Sequence, residues 1–283
     1  MINPNEPYFI AEIGQNHQGD INIAKKMVDA LVGTGVSCIK TAKRDIDTCL
    51  SETQKGMPYI NENSFGDTYY EHRKALELSK DEFLELEEYV KSRGFDFTSS
   101  FTDIPSLEFL VNDCDLKFLK IASQRMADIP LLEAAAKTGK PIIISTGMCT
   151  IGDVDEAVNN IFKDNDKYLM QCTSSYPCED RDINLNVLKT YQERYAGKIK
   201  AFGLSGHHMS ISPDLAAYVM GANIIERHFT LDRNMRGTDH KGSLEVDGVK
   251  LITKYIRQIH TAMGSFDKEI LKSELPALKK LRG

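Results

Sequence analysis

Tyr8-Phe9-Ile10-Ala11-Glu12-Ile13-Gly14-Gln15-Asn16-His17-Gln18-Gly19 is the stretch on which the fold turns. Its first six residues are mostly apolar and read as a short buried strand closed by glycine. A doubly wound nucleotide-binding sheet would place Gly-x-Gly-x-x-Gly here, where the first strand turns into the first helix. The glycines stand instead at 14 and 19, the wrong spacing, and no Walker-type phosphate loop occurs elsewhere in the chain. A helical pattern follows over residues 20–34, with Ile23, Met27, Ala30 and Leu31 on one face.

The same unit recurs along the whole chain. Strands are expected at residues 8–13, 36–40, 95–99, 118–122, 141–145, 168–172, 200–204 and 223–228. Helical patterns follow, one opening at 79–82 and later ones at 104–112, 129–138, 154–162, 184–195, 212–220 and 246–263. The first of these opens on Ser79 with Asp81 and Glu82 in its first turn, a serine cap with an acidic start. Eight strand–helix units predict a closed (β/α)8 TIM barrel over residues 1–264, with 265–283 as a tail or short helix. Residues 42–79 are too long for a plain connection. With Gly56, Pro58, Asn61, Asn63 and Gly66, they are expected to form a functional loop over the barrel mouth.

Composition narrows the function classes. A net charge of −6, with one short basic run at Lys279–Arg282, argues against nucleic acid as a partner. No apolar run reaches the ~20 residues of a membrane span. The N-terminus lacks the basic start and apolar core of a signal peptide, so a cytoplasmic location is expected. The six cysteines are scattered, with no Cys-x-x-Cys pair, which argues against disulfide staples and a zinc knuckle.

Barrel chemistry sits at the C-terminal ends of the strands, and polar residues gather there. Glu12, Lys40 and Lys120 fall on strand positions where an unpaired charge is costly, so they need partners. Lys120, Ser123, Ser99 and Ser145 lie on strands three to five, and an ammonium with hydroxyls suits a phosphoryl group. The alternative is a set of helix caps beside a snorkelling lysine. His207 and His228 end adjacent strands, and with oxygen from Asp239 or Glu12 they suit a divalent ion such as Mn²⁺. His208 competes with His207 for that role.

These residues occur in stretches that resemble the sialic acid synthase family: 10–19, Lys120-Ile121-Ala122-Ser123, Ser145-Thr146-Gly147-Met148, Cys172-Thr173-Ser174-Ser175-Tyr176-Pro177, Ile225-Glu226-Arg227-His228-Phe229 and Gly237-Thr238-Asp239-His240. The family includes the N-acetylneuraminate synthases and their pseudaminic and legionaminic acid relatives. The resemblance implies an enzyme condensing phosphoenolpyruvate with the open-chain aldehyde of an N-acetylated hexosamine such as N-acetylmannosamine. The product is a 2-keto-3-deoxy sugar acid, released with phosphate after C–O cleavage. It implies that His207 and His228 hold Mn²⁺ or Mg²⁺. Lys40, Ser99, Lys120, Ser123, Ser145 and Ser174 would bind phosphoenolpyruvate. Glu12 would manage the attacking water, and Tyr176 and Asp239 would face the amino sugar.

The departures cluster on the acceptor side. Ala42 stands where the family has glutamine, Gln124-Arg125 where it has glycine–glutamate, and Gly206 where an aspartate precedes the metal histidine. Ser174 replaces an asparagine. Typical members also carry a small C-terminal antifreeze-like domain that reaches over the partner subunit, and the sequence is expected to stop before it. A homodimer is expected, with the 42–79 loop closing the site. Arg125 in place of an acid raises the alternative of a phosphorylated or otherwise anionic aldose. A catalytically silent barrel serving as a phosphate-binding or regulatory subunit is the other alternative, opposed by the retained charges.

Overall fold

The computed structural model describes residues 2–283. Eight parallel strands close on themselves in sequence order: β1 (Tyr8–Glu12), β2 (Cys38–Lys43), β3 (Asp96–Phe101), β4 (Leu119–Ile121), β5 (Ile142–Ser145), β6 (Lys167–Cys172), β7 (Ala201–Gly206) and β8 (Ala222–His228). β8 pairs with β1, so no edge is left exposed. The expected TIM barrel is the fold, and the strands differ from expectation by a few residues at their ends. The largest shifts extend β2 to Lys43, β3 to Phe101 and β7 to Gly206.

Side chains alternate across each strand, and this alternation builds two cores. Outward residues such as Ala11, Ile39, Phe97, Leu119, Ile144, Leu169, Leu204 and Ile225 pack under the surrounding helices. Inward residues form a second, smaller cluster of Ile10, Cys38, Phe118, Ile143, Tyr168, Met170, Ala201 and Ile224, with Ile2 beneath it. Two residues further along β1, β2, β5 and β8 the inward positions become polar: Glu12 after Ile10, Lys40 after Cys38, Ser145 after Ile143, Glu226 after Ile224. The barrel is therefore apolar at its base and charged towards its C-terminal mouth.

The 42–79 segment is more ordered than its composition suggests. Its first two residues finish β2, and three short helices follow, Ile46–Cys49, Glu52–Lys55 and Tyr69–Ala75. Ser51 and Thr68 cap the second and third of them with full capping boxes. Between them an antiparallel bridge, Pro58↔Thr68, makes a small hairpin. It leans on the loop after β8, where the Gly237 amide donates to Asn63 Oδ1 at 3.1 Å and the Arg236 guanidinium lies 4.6 Å from the centre of the Phe65 ring. Residues 265–283 carry one short exposed helix, Leu275–Arg282. All six cysteines are free thiols, and no described helix is long and apolar enough to cross a membrane.

Candidate active site

The charged layer inside the barrel is self-neutralising. Glu226 lies between two lysines, with Oε1 3.5 Å from Lys120 Nζ and 3.7 Å from Lys40 Nζ. Ser205 Oγ donates to the same oxygen at 3.1 Å. Lys40 also contacts the Glu12 carboxylate. Burial alone would push the Glu226 carboxyl upward, but Lys120 and then Lys40 outweigh it and hold it at about 2. Glu226 thus stays ionised, and the partners that Lys40, Lys120 and Glu12 require are largely one another and Glu226. The fold itself supplies these partners, and Glu226 stood out in the sequence only as part of a motif.

Above this layer a cavity opens at the C-terminal mouth. Lys120, Ser123, Ser145 and Ser174 line one side of it. Lys120 Nζ donates to Ser145 Oγ at 2.5 Å, and the Gly147 amide donates to Ser123 Oγ at 2.9 Å. Ser174 Oγ is buried with no hydrogen-bond partner. Gly147 is the residue that keeps this space open. A β-carbon on it would sit 2.2 Å from Ser174 Oγ and 2.9 Å from Ser123 Oγ. An ammonium, three hydroxyls and a bare backbone around one small volume form a cradle for a tetrahedral anion.

His207, His228, Tyr176 and Asp239 line the same cavity, together with Glu12, which pairs in register with His228. The imidazole centroids are 5.3 Å apart, and the Tyr176 ring lies 4.2 Å from that of His207. His207 Nδ1 donates to the Thr173 carbonyl at 3.1 Å, which leaves Nε2 with its lone pair. Burial, helped by the neighbouring His228, pushes His207 down to about 3, and burial also lowers His228. Both shifts favour the neutral form of the ring. His228 Nδ1 is buried without a hydrogen-bond partner, 3.8 Å from Asp239 Oδ2.

Two expectations are corrected, and the choice between His207 and His208 falls to His207. Ser99 does not reach the cavity. It stands on the outward face of β3, and its Oγ donates to the Thr41 and Ser100 carbonyls. Ser100, in register with Lys120, is the serine that lines the cavity. Arg125 also misses it: the guanidinium turns towards Asp128, 3.7 Å away, and Gln124 lines the wall instead. His208 points out of the barrel, away from His207, because successive residues leaving β7 face opposite ways. Lys40 sits in the floor beneath the cavity lining.

Sequence reasoning missed two cations at the mouth, Arg44 and Arg73. Arg44 is committed to Glu77, with Nη1 2.7 Å from Oε1. The partners of Arg73 are neutral: Nη1 donates to Gln15 Oε1 at 2.6 Å, Nε donates to the Tyr69 hydroxyl at 2.8 Å, and the guanidinium lies 5.0 Å from the centre of the Tyr69 ring. Both arginines belong to the 42–79 segment, whose irregular sequence gave no periodicity by which to place them.

Fold and site together define a (β/α)8 barrel with an anion cradle beside a pair of imidazoles. A model of the NeuB family matches residues 27–268. The chain is 36% identical over 275 residues to the N-acetylneuraminate-9-phosphate synthase of Homo sapiens, covering 97% of this chain and 76% of that protein. It is 36% identical over 271 residues to the N,N'-diacetyllegionaminic acid synthase of Campylobacter jejuni, covering 94% and 80%. The structure of N-acetylneuraminic acid (sialic acid) synthetase from Leptospira borgpetersenii, in complex with citrate, matches with a TM-score of 0.84 at 31% identity, covering 99% of this chain and 93% of that one. The chain belongs to the NeuB family of sialic-acid-type synthases, and it is an enzyme of the sugar acid synthase type.

The charged floor has a pH signature. Burial, reinforced by Lys120 and opposed by Glu226, pushes Lys40 down to about 8. An anion in the cradle favours the charged lysine. Anion binding is therefore expected to take up a proton, and to weaken, as the pH rises through about 8. Calorimetry of phosphate binding in buffers of differing ionisation enthalpy measures that proton count. The Lys40→Arg variant should abolish it. A proton count of zero across this range in the wild type would separate Lys40 from the anion.

Proposed function

We propose that the enzyme condenses phosphoenolpyruvate with the open-chain aldehyde of an N-acetylated hexosamine, yielding a 2-keto-3-deoxy sugar acid and inorganic phosphate. The observation that carries this reading is the cradle of Lys120, Ser123, Ser145, Gly147 and Ser174 in one cavity with Glu12 and the two imidazoles. Lys120 and the hydroxyls bind the phosphate of phosphoenolpyruvate. Its enol carbons then face the rest of the cavity, which Glu12, His207 and His228 line. A new bond forms between C3 of phosphoenolpyruvate and the aldehyde carbon. Water adds at C2, and the C2–O bond then breaks to release phosphate. Glu12 Oε1, buried with no hydrogen-bond partner, is the acceptor suited to take the proton of that water. Tyr176 and Asp239 orient the sugar against the imidazole wall.

The residues present suit a divalent ion. His207 Nε2 is free, and the buried Nδ1 of His228 has no partner. Among the described residues no set of three or more His, Cys, Asp or Glu groups converges at metal-holding distance. His207 and His228 would therefore hold Mn²⁺ or Mg²⁺ with the other positions left to water and substrate, as in an open catalytic site. When bound, such an ion supplies Lewis-acid polarisation of the aldehyde oxygen.

A second reading concerns the acceptor and rests on Arg73. A guanidinium at the mouth with neutral partners suits an anionic group on the far end of the sugar. The human, mouse and Drosophila melanogaster relatives bear the name N-acetylneuraminate-9-phosphate synthase. Arg73, rather than Arg125, is the arginine placed to select a phosphorylated aldose.

The first test is phosphate release from phosphoenolpyruvate, with product mass, in the presence of Mn²⁺ and an aldose panel. Chelation should abolish turnover, and Mn²⁺ should restore it. Lys120→Ala should raise the KM for phosphoenolpyruvate ~10–100-fold, the equivalent of about 1.5–3 kcal/mol for a charged hydrogen bond, with much less effect on the sugar KM. An equal rise in both would remove Lys120 from the phosphate site.

The same panel decides the acceptor. Arg73→Ala is expected to raise the KM for N-acetylmannosamine 6-phosphate ~10-fold or more and to leave neutral N-acetylmannosamine nearly unchanged. If the neutral sugar is used best and Arg73→Glu does not alter that preference, the anionic acceptor is refuted.

A further inference from the structure

β7 and β8 each bring one imidazole to the inner face of the barrel, and each carries a large polar residue on the outer face right beside it. His208 follows His207, and Arg227 precedes His228. Behind the sheet these two side chains meet Asp214, from the helix Ser212–Val219. Asp214 Oδ2 accepts from Arg227 Nη1 at 2.5 Å and from His208 Nε2 at 2.9 Å. The same guanidinium donates to the Ser210 carbonyl at 3.1 Å and, through Nη2, to the His208 carbonyl. All three side chains are fully buried. One planar fork thus grips the backbone just after His207, while its own main chain leads straight into His228.

Gly206 makes this arrangement possible. A β-carbon there would lie 2.6 Å from His208 Cε1 and 3.2 Å from Arg227 Cδ. Only a bare backbone immediately before His207 lets the His208 ring fold back against the strand. This chain has glycine at that position, the departure from the family pattern for which the sequence offered no reason.

A buried ion pair is a weak source of stability, because desolvation of the two charges offsets most of their attraction. Apolar side chains of similar volume would fill the same space between sheet and helix. What the charged group adds is direction, since the guanidinium fork accepts few geometries.

We propose that Arg227, Asp214 and His208 are positioning residues that set the separation and orientation of the His207 and His228 rings, with Gly206 as the clearance that admits them. The proposal rests on the reading of those two imidazoles as metal ligands, and its test separates the two ideas. Three variants are compared with the wild type: Asp214→Asn, Gly206→Ala, and Arg227→Lys, which keeps the charge and loses the fork. Three quantities are measured on the metal-free protein: the melt, the imidazole nitrogen NMR shifts of His207 and His228, and phosphoenolpyruvate affinity by calorimetry. Mn²⁺ affinity is then measured by titration.

The expected result is cooperative melting, unchanged phosphoenolpyruvate affinity, displaced shifts for both imidazoles and Mn²⁺ affinity weakened ~10–100-fold, the usual cost of losing an outer-shell partner. The proposal is overturned if folded variants keep wild-type shifts and Mn²⁺ affinity. It is equally overturned if phosphoenolpyruvate and Mn²⁺ weaken together, or if all three variants fail to fold, since each marks a purely structural role. If the wild type binds no Mn²⁺, the ligand reading falls, and the imidazole shifts still decide the positioning role.

Discussion

Two lysines and two glutamates project into the interior of this barrel, and their mutual neutralisation constrains everything above them. Glu226 bridges Lys40 and Lys120, and Glu12 meets Lys40 from the adjacent strand β1. Were one of the four absent, a charge would be stranded in a space closed below by Ile10, Ile143, Tyr168 and Ile224. The layer therefore sets the depth of the site. Below it the barrel is a packed apolar core, and above it lie the anion cradle and the imidazole pair.

The two faces of the sheet share the work. Inward residues of β4–β6 and of the turns that follow make the cradle, and Gly147 keeps it open. Inward residues at the ends of β7 and β8 make the imidazole wall. The outward neighbours of that wall, His208 and Arg227, are tied to Asp214 beneath the helices. Because alternate residues of one strand serve both faces, packing behind the barrel reaches the site through a single peptide unit.

The rim is assembled from the segment with the least regular sequence. Capping boxes at Ser51 and Thr68 and the hairpin between Pro58 and Thr68 fold it locally. Contacts with the loop after β8 then bring Arg73 to the mouth. Arg125, which charge reasoning had put at the mouth, turns to Asp128 instead.

Much was legible in the chain itself. The eight repeats of strand and helix, the absence of a nucleotide-binding glycine pattern and the polar strand ends were enough for the barrel and for the end of it that carries the site, because periodicity records which face of an element is buried. Glu12, Lys40, Lys120, Ser123, Ser145, Ser174, Tyr176, His207, His228 and Asp239 were all nominated from sequence, and the fold brings them together at and just beneath one cavity. What sequence could not decide was side-chain direction at the ends of strands, where a shift of one residue reverses the face. That is why Ser100 lines the cavity and Ser99 does not, and why His207 turns inward and His208 outward. Nor could it show that Glu226 balances two lysines from other strands, or that Arg73 reaches the mouth. Those depend on distances between residues far apart in the chain, and only closure of the barrel and folding of the loop over it set them.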